Sequence, residues 1–247
     1  MEAKEINQEF AMPTVLITGA NRGLGLELTT QYCADGWNVI AACRNPSDGP
    51  ELQVLDQKYP SLNVHALDVA DFAAIDNLAA TLKARPIDVL INNAGLFGPK
   101  AKAEGDPRQE FGHMDYDMWA QLFRVNTMAP MKMAEAFVGH VAASTQKRIV
   151  TITSSVGSIT RADGQIHAYR TSKAAANMLM HNLSFDLQAK GIITAAFCPG
   201  WIKTRMGGPD APLEAPEAMT RLRTVIADLT LSTSGRFWLY NGDLLPW

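Results

Sequence analysis

The sequence predicts one doubly wound α/β domain, in which a mostly parallel sheet of seven strands carries helices on both faces. Three observations lead to this prediction. Seven short apolar runs alternate with segments of helical pattern along the chain. A glycine-rich turn follows the first run and precedes a helix. The chain has 247 residues, of which 47% are hydrophobic, so it can bury one large core, and it shows no internal repeat or boundary.

The first strand, helix and second strand form the best-defined unit. TVLIT after Pro13 is an apolar run with β-branched residues, and GANRGLG follows it directly. LELTTQYCADG then has a helical pattern that Gly36 closes, and WNVIAAC is again strand-like. Together they constitute one βαβ unit. We expect residues 1–13, which lack the apolar core of a signal peptide, to form a loose arm, and residues 14–247 to form the domain.

The same alternation predicts the remaining elements. Residues 97–113 and 200–216 contain Gly and Pro and are expected to be loops. Pro130 lies inside a long helical pattern and predicts a kink there. The predicted helices cover residues 49–59, 72–83, 116–143, 217–229 and the segment around Tyr169, and the predicted strands cover residues 63–67, 87–91, 148–153, 193–198 and 236–240.

Charge and cysteine content argue against several classes of function. The 22 basic and 25 acidic residues are scattered without long runs, and the formal charge is only -3, so we expect neither nucleic acid nor a membrane surface as a partner. No run approaches the roughly 18 apolar residues that a membrane span needs. Cys33, Cys43 and Cys198 are widely spaced in apolar contexts, which suggests neither disulfides nor a metal site. A reducing, cytoplasmic location fits this composition best.

Tyr169 and Lys173 are the first candidate catalytic pair. They lie four residues apart in a helical segment, so both side chains leave the same helix face one turn apart. An ammonium group near a phenol favours the phenolate and lowers the pKa from about 10 toward neutrality. A tyrosine so placed could exchange protons at working pH. Taken alone, the same two residues are also compatible with an ordinary solvated helix face.

Residues 18–25, TGANRGLG, are a candidate phosphate-binding turn. A strand ends there and a helix begins, so unpaired amides and the positive end of the helix dipole converge where a pyrophosphate could lie. No Lys-Ser or Lys-Thr completes a triphosphate loop, which argues against a nucleoside triphosphatase. The glycine spacing also differs from the common GxGxxG fingerprint.

Four motifs occur together, in one order and on suitable elements. They are TGxxxGxG at Thr18, Gly19, Gly23 and Gly25, NNAG at residues 92–95, YxxxK at Tyr169 and Lys173, and PG at Pro199 and Gly200 with Thr204 following. The chain therefore resembles the short-chain dehydrogenase/reductase (SDR) family, whose members have a single-domain Rossmann fold. GWIKTRMGGPDAP and NGDLLPW further resemble a branch that includes sniffer-like carbonyl reductases and C-factor-like bacterial proteins.

The resemblance implies catalytic roles for four residues: Asn126, Ser154, Tyr169 and Lys173. Tyr169 would protonate a carbonyl oxygen, or act as the base in the reverse direction, and a serine would polarise the same oxygen. Lys173 would lower the tyrosine pKa and hold the nicotinamide ribose. Asn126 would kink its helix and hold a water linked to Lys173.

Two neighbouring serines compete for the polarising role. Alignment of the strand IVTIT and of Gly157 with the family pattern selects Ser154. Counting back the commoner distance from Tyr169 instead reaches Ser155 or Val156. We choose Ser154, because a loop can change length whereas a strand cannot slip by one residue without reversing its side chains.

The end of the second strand determines the expected cofactor. NAD-preferring relatives place an acid there, whereas this strand ends with Ala42, Cys43 and Arg44. Arg44 and Arg22 would instead pair with a 2′-phosphate, so we expect NADP(H) rather than NAD(H). The resemblance assigns these further residues to the cofactor site: Gly19, Asn21, Gly23, Leu24, Gly25, Asp68, Val69, Asn93, Ala94, Gly95, Pro199, Gly200, Ile202 and Thr204, together with Tyr169 and Lys173.

The resemblance thus implies an NADP(H)-dependent oxidoreductase that reduces a ketone or aldehyde, or oxidises the matching alcohol. Leu96, Phe97, Ile159 and Trp201 would make the pocket apolar, so we expect an apolar carbonyl or alcohol as the small-molecule substrate. A homodimer or homotetramer is also implied. The alternative is a C-factor-like signalling or regulatory protein that binds a dinucleotide with little turnover. The intact catalytic set favours the enzyme.

Overall fold

A computed structural model of the chain describes residues 12–83 and 85–247. The arm expected over residues 1–13 therefore lies outside the described residues up to position 11. Met12 and Pro13 are described, and their carbonyls accept hydrogen bonds from Asn38, at 3.0 Å from its side-chain nitrogen and 2.9 Å from its backbone nitrogen. These two residues are thus joined to the second strand before the first strand begins.

Seven strands form one sheet: β1 (Thr14–Thr18), β2 (Asn38–Cys43), β3 (Leu62–Ala66), β4 (Val89–Asn92), β5 (Arg148–Ile152), β6 (Ile193–Cys198) and β7 (Arg236–Leu239). Their order is β3-β2-β1-β4-β5-β6-β7, and every neighbouring pair is parallel. The predicted Rossmann-type sheet is confirmed, and it is wholly parallel. Because the winding direction reverses between β1 and β4, a crevice opens at the carboxyl ends of these strands.

Eight α-helices are described: α1 (Gly23–Ala34), α2 (Pro50–Lys58), α3 (Phe72–Leu82), α4 (Ala101–Glu104), α5 (Tyr116–Phe123), α6 (Ala129–Ala142), α7 (His167–Asp186) and α8 (Ala215–Ala227). They cover both faces of the sheet, as predicted. Leu16 of β1 joins a core shared with α3, α6 and α7, whereas its neighbours Val15 and Ile17 join a core shared with α1 and α8. Alternating side chains of one strand therefore enter two separate cores.

The long helix predicted over residues 116–143 is interrupted. A single π-helical turn, Arg124–Met128, separates α5 from α6, and Pro130 lies in the first turn of α6. Pro130 has no N–H to bond a carbonyl one turn back, and a widened turn before it accommodates that loss. The expected loop over residues 97–113 also differs, because it contains the short helix α4, whose sequence AKAE consists of good helix formers.

The residues after β7 fold back along its outer edge. The amide of Leu239 donates to the carbonyl of Asp243 at 2.8 Å, and the amide of Leu245 donates to the carbonyl of Phe237 at 2.9 Å. Backbone groups of an edge strand that would otherwise face solvent are thereby paired within the chain.

Two structural requirements concern the described part of the chain, those of a membrane-crossing helix and of a cluster of metal ligands. None of its helices combines the length and the apolar character of a membrane span. Nor do the described residues bring together three or more His, Cys, Asp or Glu side chains in a way that could hold a metal ion. Cys33, Cys43 and Cys198 are buried and unpaired.

Candidate active site

The glycine turn lies between β1 and α1, at the crevice. Gly19 and Gly23 have φ of 67° and 55°, a left-handed conformation that favours glycine. Gly25 packs so closely that a Cβ there would overlap the Gly19 carbonyl oxygen and approach Asn93 Nδ2 to 2.5 Å. Arg22 precedes α1 without a side-chain cap, so the first amides of α1 are available to an anion.

The NNAG segment after β4 fastens this turn. Thr18 Oγ1 accepts hydrogen bonds from the amides of Asn93 and Ala94, both at 3.1 Å. Asn93 Nδ2 donates to the carbonyls of Thr18 at 2.9 Å and Gly19 at 3.2 Å. The side chain of Asn93 therefore holds the conformation of the glycine turn. Gly95, two residues later, lies next to Asn126 and Lys173.

Ser154 and Tyr169 meet through their side chains. Ser154 comes two residues after β5 ends, and its hydroxyl lies close enough to the phenol of Tyr169, which is 7% exposed, to oppose the rise in the pKa of that phenol. Ser155 begins a short 3-10 turn, and it is not among the groups that shift the pKa of Tyr169. Of the two serines left open by the sequence, Ser154 is the one placed beside Tyr169. The ring of Phe97 covers the other side of Tyr169, with 4.4 Å between the ring centroids.

Lys173 lies one helical turn after Tyr169 and is also buried. Its Nζ is 5.7 Å from the centroid of the Tyr169 ring and donates to the carbonyl of Ile152 at 2.8 Å. A Cβ on Gly95 would lie 3.6 Å from Lys173 Nζ, and one on Gly157 would lie 2.8 Å from the Lys173 carbonyl carbon. Two glycines therefore allow the loops after β4 and β5 to close on this lysine.

Asn126 occupies the π-helical turn and is 1% exposed. Its Nδ2 donates to the carbonyl of Leu96 and to Ser172 Oγ, at 2.8 and 2.9 Å, and its Oδ1 accepts from the amide of Leu96 at 2.8 Å. The side chain thus joins α7 to the segment after β4. The widened turn sets Asn126 apart from an ordinary helical asparagine, because such turns often mark functional sites.

Burial is the main cause of the pKa shifts of both Tyr169 and Lys173. It raises the pKa of Tyr169 well above its ordinary value, and the hydrogen bond from Ser154 opposes only part of that rise. Burial also lowers the pKa of Lys173 to about 8. The expectation that Lys173 draws the pKa of Tyr169 toward neutrality is therefore wrong for this structure. Removal of the phenol from water disfavours the phenolate, and Lys173 is not among the groups that lower the pKa of Tyr169.

We expect the buried Lys173 to make stability depend on pH. Its pKa falls from 10.5 to about 8 on folding, so its charge destabilises the native state fully below pH 8, and the penalty disappears as pH rises toward 10.5. Lys173→Met lacks this dependence. Between pH 7.5 and 9.5 the wild type should therefore gain roughly 2 kcal/mol in free energy of unfolding relative to Lys173→Met.

Urea unfolding at the two pH values measures this difference. Lys190→Met removes an exposed lysine but keeps Lys173, so as the control it should gain as much free energy of unfolding between the two pH values as the wild type. An equal pH dependence of the wild type and Lys173→Met would contradict the lowered pKa.

Three arginines gather beside the glycine turn. Partial desolvation lowers the pKa of Arg22, and the positive charges of Arg205 and then Arg44 lower it further. Among the described residues, no carboxylate lies within ion-pair distance of any of the three. Arg205 is absent from the residues that the sequence assigned to this site. Arg205 directly follows Thr204, which the sequence does assign to the site. That position could have indicated Arg205 as a further site residue.

Asp68 and Val69 follow β3 as expected. Asp68 is exposed, and its Oδ1 accepts a hydrogen bond from the amide of Ala70 at 2.9 Å. Val69 is 7% exposed and belongs to the core. Leu24 is likewise half-buried against core residues, and Asn21 contacts Gly49 rather than the catalytic group.

The PG segment closes over the glycine turn. Gly200 has φ of 88°, and Ile202 after it is buried and pairs with Leu213. A Cβ on Gly23 would lie 3.7 Å from Thr204 Cγ2, so Thr204 stands directly over the turn.

The expected pocket residues divide into two groups. Leu96 and Phe97 pack against Tyr169, whereas Ile159 and Trp201 are 77% and 57% exposed. Lys100 Nζ donates to the carbonyl of Met206, so the segment after β4 contacts the loop that contains Trp201. Apolar side chains therefore line one side of the phenol, and a contact joins the two loops around it.

Known proteins share this sequence pattern and geometry. The pattern described as short chain dehydrogenase matches residues 13–214. The structure of carbonyl reductase Sniffer of D. melanogaster has a TM-score of 0.87 and 31% identity, covering 96% of this chain and 100% of that one. The NADPH-bound carbonyl reductase from chicken fatty liver has a TM-score of 0.87 and 32% identity, covering 96% and 99%. C-signal of Myxococcus xanthus is 39% identical over 163 residues, which are 66% of this chain and 93% of that protein.

Proposed function

The chain belongs to the short-chain dehydrogenase family, and from this premise we propose that it is an NADP(H)-dependent carbonyl reductase. It would reduce an apolar ketone or aldehyde, or oxidise the matching alcohol, with Tyr169 as general acid or base. The observation that carries the proposal is the arrangement around the buried phenol of Tyr169: Ser154 lies beside it, and Lys173 lies one helical turn later with its Nζ 5.7 Å from the ring centroid. Similarity to two carbonyl reductases, one of them NADPH-bound, supports it.

The residues present fit a dinucleotide that carries an additional phosphate. The uncapped start of α1 offers amides to a pyrophosphate. Arg22, Arg44 and Arg205 provide three positive charges without a carboxylate partner among the described residues, which suits a 2′-phosphate. Asp68 keeps one carboxylate oxygen available beside the crevice for an adenine amine.

The proposed chemistry divides between the cofactor and the chain. A bound nicotinamide dinucleotide would supply the hydride that reaches the carbonyl carbon. Tyr169 would give its proton to the carbonyl oxygen, and Ser154 would donate a hydrogen bond to the same oxygen. Lys173, held by the carbonyl of Ile152, would stabilise the phenolate that remains. The hydride and the proton together convert the carbonyl to an alcohol.

Tyr169 is in the form that reduction uses. Burial raises the pKa of its phenol, so the phenol is protonated at neutral pH and carries the proton that a general acid donates. The apolar side chains of Leu96 and Phe97, which pack against Tyr169, support an apolar substrate. Reduction of an apolar carbonyl compound is therefore the reaction that we propose.

A screen of NADPH consumption tests the proposal. Wild-type protein is incubated with a panel of aldehydes, ketones and quinones, and absorbance at the NADPH band is followed. Turnover of at least one apolar carbonyl is expected. Tight NADPH binding without turnover of any compound would contradict the proposal and would favour the second candidate.

The second candidate is a signalling or regulatory protein that binds the dinucleotide with little turnover. The similarity to a protein named C-signal is the observation that favours it. The buried contact between Ser154 and Tyr169 argues against it, because binding alone does not require an acid.

The arginine cluster predicts the cofactor preference. In Arg44→Gln, a charge-assisted contact to the 2′-phosphate would be lost, so the affinity for NADPH should fall roughly 10- to 100-fold while that for NADH stays the same. Fluorescence titration with each dinucleotide measures both affinities. Arg236→Gln changes an exposed arginine at the start of β7 and is the control. Tighter binding of NADH than NADPH by the wild type would contradict the preference.

A further inference from the structure

Helix α7, which carries Tyr169, begins without a cap of its own. The residue before it, Ile166, has φ of 40°, and its side chain cannot accept a hydrogen bond. A left-handed conformation is unfavourable for a β-branched residue, and Gln165 before it is also left-handed, with φ of 59°. Some other part of the chain must therefore stabilise this helix start, because the first amides of a helix have no partners within it.

Gln109 provides the missing partners from a distant loop. Its Oε1 accepts from the amide of Tyr169, and its backbone carbonyl accepts from the amide of His167, both at 3.0 Å. Glu110 accepts from the amide of Ile166 at 3.3 Å. The segment Gln109 and Glu110 thus caps α7 from outside.

The nitrogen of the same amide group holds residues 97–99, called here the Phe97 wall because the ring of Phe97 covers Tyr169. Gln109 Nε2 donates to the carbonyls of Phe97 at 2.8 Å and Pro99 at 2.7 Å. Gly98 lies between them with φ of 80°, and a Cβ there would lie 2.9 Å from Gln109 Nε2. The chain therefore wraps around this amide at a distance that only glycine permits.

The orientation of the Gln109 amide is determined by its neighbours. Two carbonyls require donors and one backbone N–H requires an acceptor, which matches the nitrogen and oxygen of the side chain in one orientation only. The residue is 1% exposed, so water cannot replace a lost bond without opening the site. Phe97, whose ring covers Tyr169, and the backbone of Tyr169 are thus joined through one side chain.

We propose that Gln109 is a positioning residue, which fixes the first turn of α7 and the Phe97 wall in register and so sets the place of the Tyr169 phenol. The inference rests on the proposed function and adds to it a residue that no sequence motif indicates. Gln109 acts through Tyr169 and Phe97 and is not itself expected to touch the reacting atoms.

Two variants test the roles of the oxygen and the nitrogen of the Gln109 side-chain amide separately. Gln109→Met keeps the approximate volume and removes every side-chain bond, so kcat should fall roughly 10- to 100-fold while NADPH affinity is unchanged. Gln109→Glu keeps the acceptor for Tyr169 but loses both donors to the Phe97 wall. It should retain more of kcat than Gln109→Met and should raise KM for the carbonyl substrate. Rates are expressed per NADPH-binding site, so that unfolded protein is not counted.

Gln31→Met is the matched control. Gln31 also bridges two elements, with bonds to Glu27 and to the carbonyl of Pro216, but it lies between α1 and α8. Its replacement is expected to leave kcat unchanged even where it lowers the melting temperature. A kcat for Gln109→Met equal to that of Gln31→Met would overturn the proposal.

Hydrogen exchange supplies a readout that does not depend on turnover. The amide of Tyr169 should exchange about tenfold faster in Gln109→Met than in the wild type, and no faster in Gln31→Met. If wild-type protein consumes no NADPH with any carbonyl compound, the proposed reductase function fails, and exchange alone then decides the role of Gln109. Unchanged exchange at Tyr169 would overturn that role in either case.

Discussion

Tyr169→Phe is expected to lower kcat for carbonyl reduction roughly 10²- to 10⁴-fold, the range that a positioned general acid contributes. The substitution removes only the phenolic hydroxyl, which is buried against Ser154, and leaves the ring in contact with Phe97. NADPH affinity should change little, because the change removes one hydroxyl and no charge. Steady-state kinetics with an active carbonyl compound, together with NADPH titration, measure the two effects separately.

Tyr32→Phe is the control for this prediction. Tyr32 is the other deeply buried tyrosine whose pKa burial raises, and it lies in α1 beside Arg223, on the opposite side of the sheet from Tyr169. Loss of its hydroxyl is expected to leave kcat unchanged. Equal rates for wild type and Tyr169→Phe would eliminate the proposed mechanism, because that mechanism requires the Tyr169 hydroxyl to supply the proton.

Gly25→Ala is expected to destabilise the protein by roughly 3 kcal/mol and to abolish tight NADPH binding, since overpacking in rigid backbone forces the neighbours apart. The added methyl group would overlap the Gly19 carbonyl oxygen and crowd Asn93 Nδ2 at 2.5 Å. Asn93 fastens the glycine turn through the carbonyls of Thr18 and Gly19. The turn would therefore change shape at the place where the pyrophosphate is proposed to lie.

Gly139→Ala is the matched control, because Gly139 is also a helical glycine and a Cβ there would meet nothing within 4 Å. An alanine in α6 should stabilise the protein by up to about 1 kcal/mol through helix propensity. Urea unfolding and NADPH titration compare the two variants. Similar changes in stability for both would show that close packing at Gly25 is not what requires glycine.

The elements near the site could be predicted because their local patterns are strong. The strand over residues 193–198 was predicted with the bounds that the structure has, since ITAAFC is a continuous apolar run that a buried parallel strand requires. The helix with Tyr169, and its spacing to Lys173, followed equally from periodicity. For the π-helical turn at Arg124–Met128, Pro130 and the resemblance at Asn126 indicated a kink but not its form.

Features that depend on distant contacts could not be predicted. The pKa of Tyr169 depends on how deeply the phenol is buried, and spacing along a helix does not reveal burial. Gln109 stands in a polar stretch rich in charge, yet it is buried, because its partners at Phe97 and Tyr169 are brought to it only by the fold. Arg205 is different, because it directly follows Thr204, and that position could have indicated its place beside Arg22.

The backward fold of the chain along β7 has a consequence for encounters between molecules. An unpaired strand at the rim of a sheet is a template onto which a second polypeptide can add, and such addition is a common route to aggregates. Here the amide of Leu239 and the carbonyl of Phe237 already have partners in the same chain. A strand of a neighbouring molecule could pair with this edge only after displacing the hydrogen bonds that residues 243 and 245 make with β7.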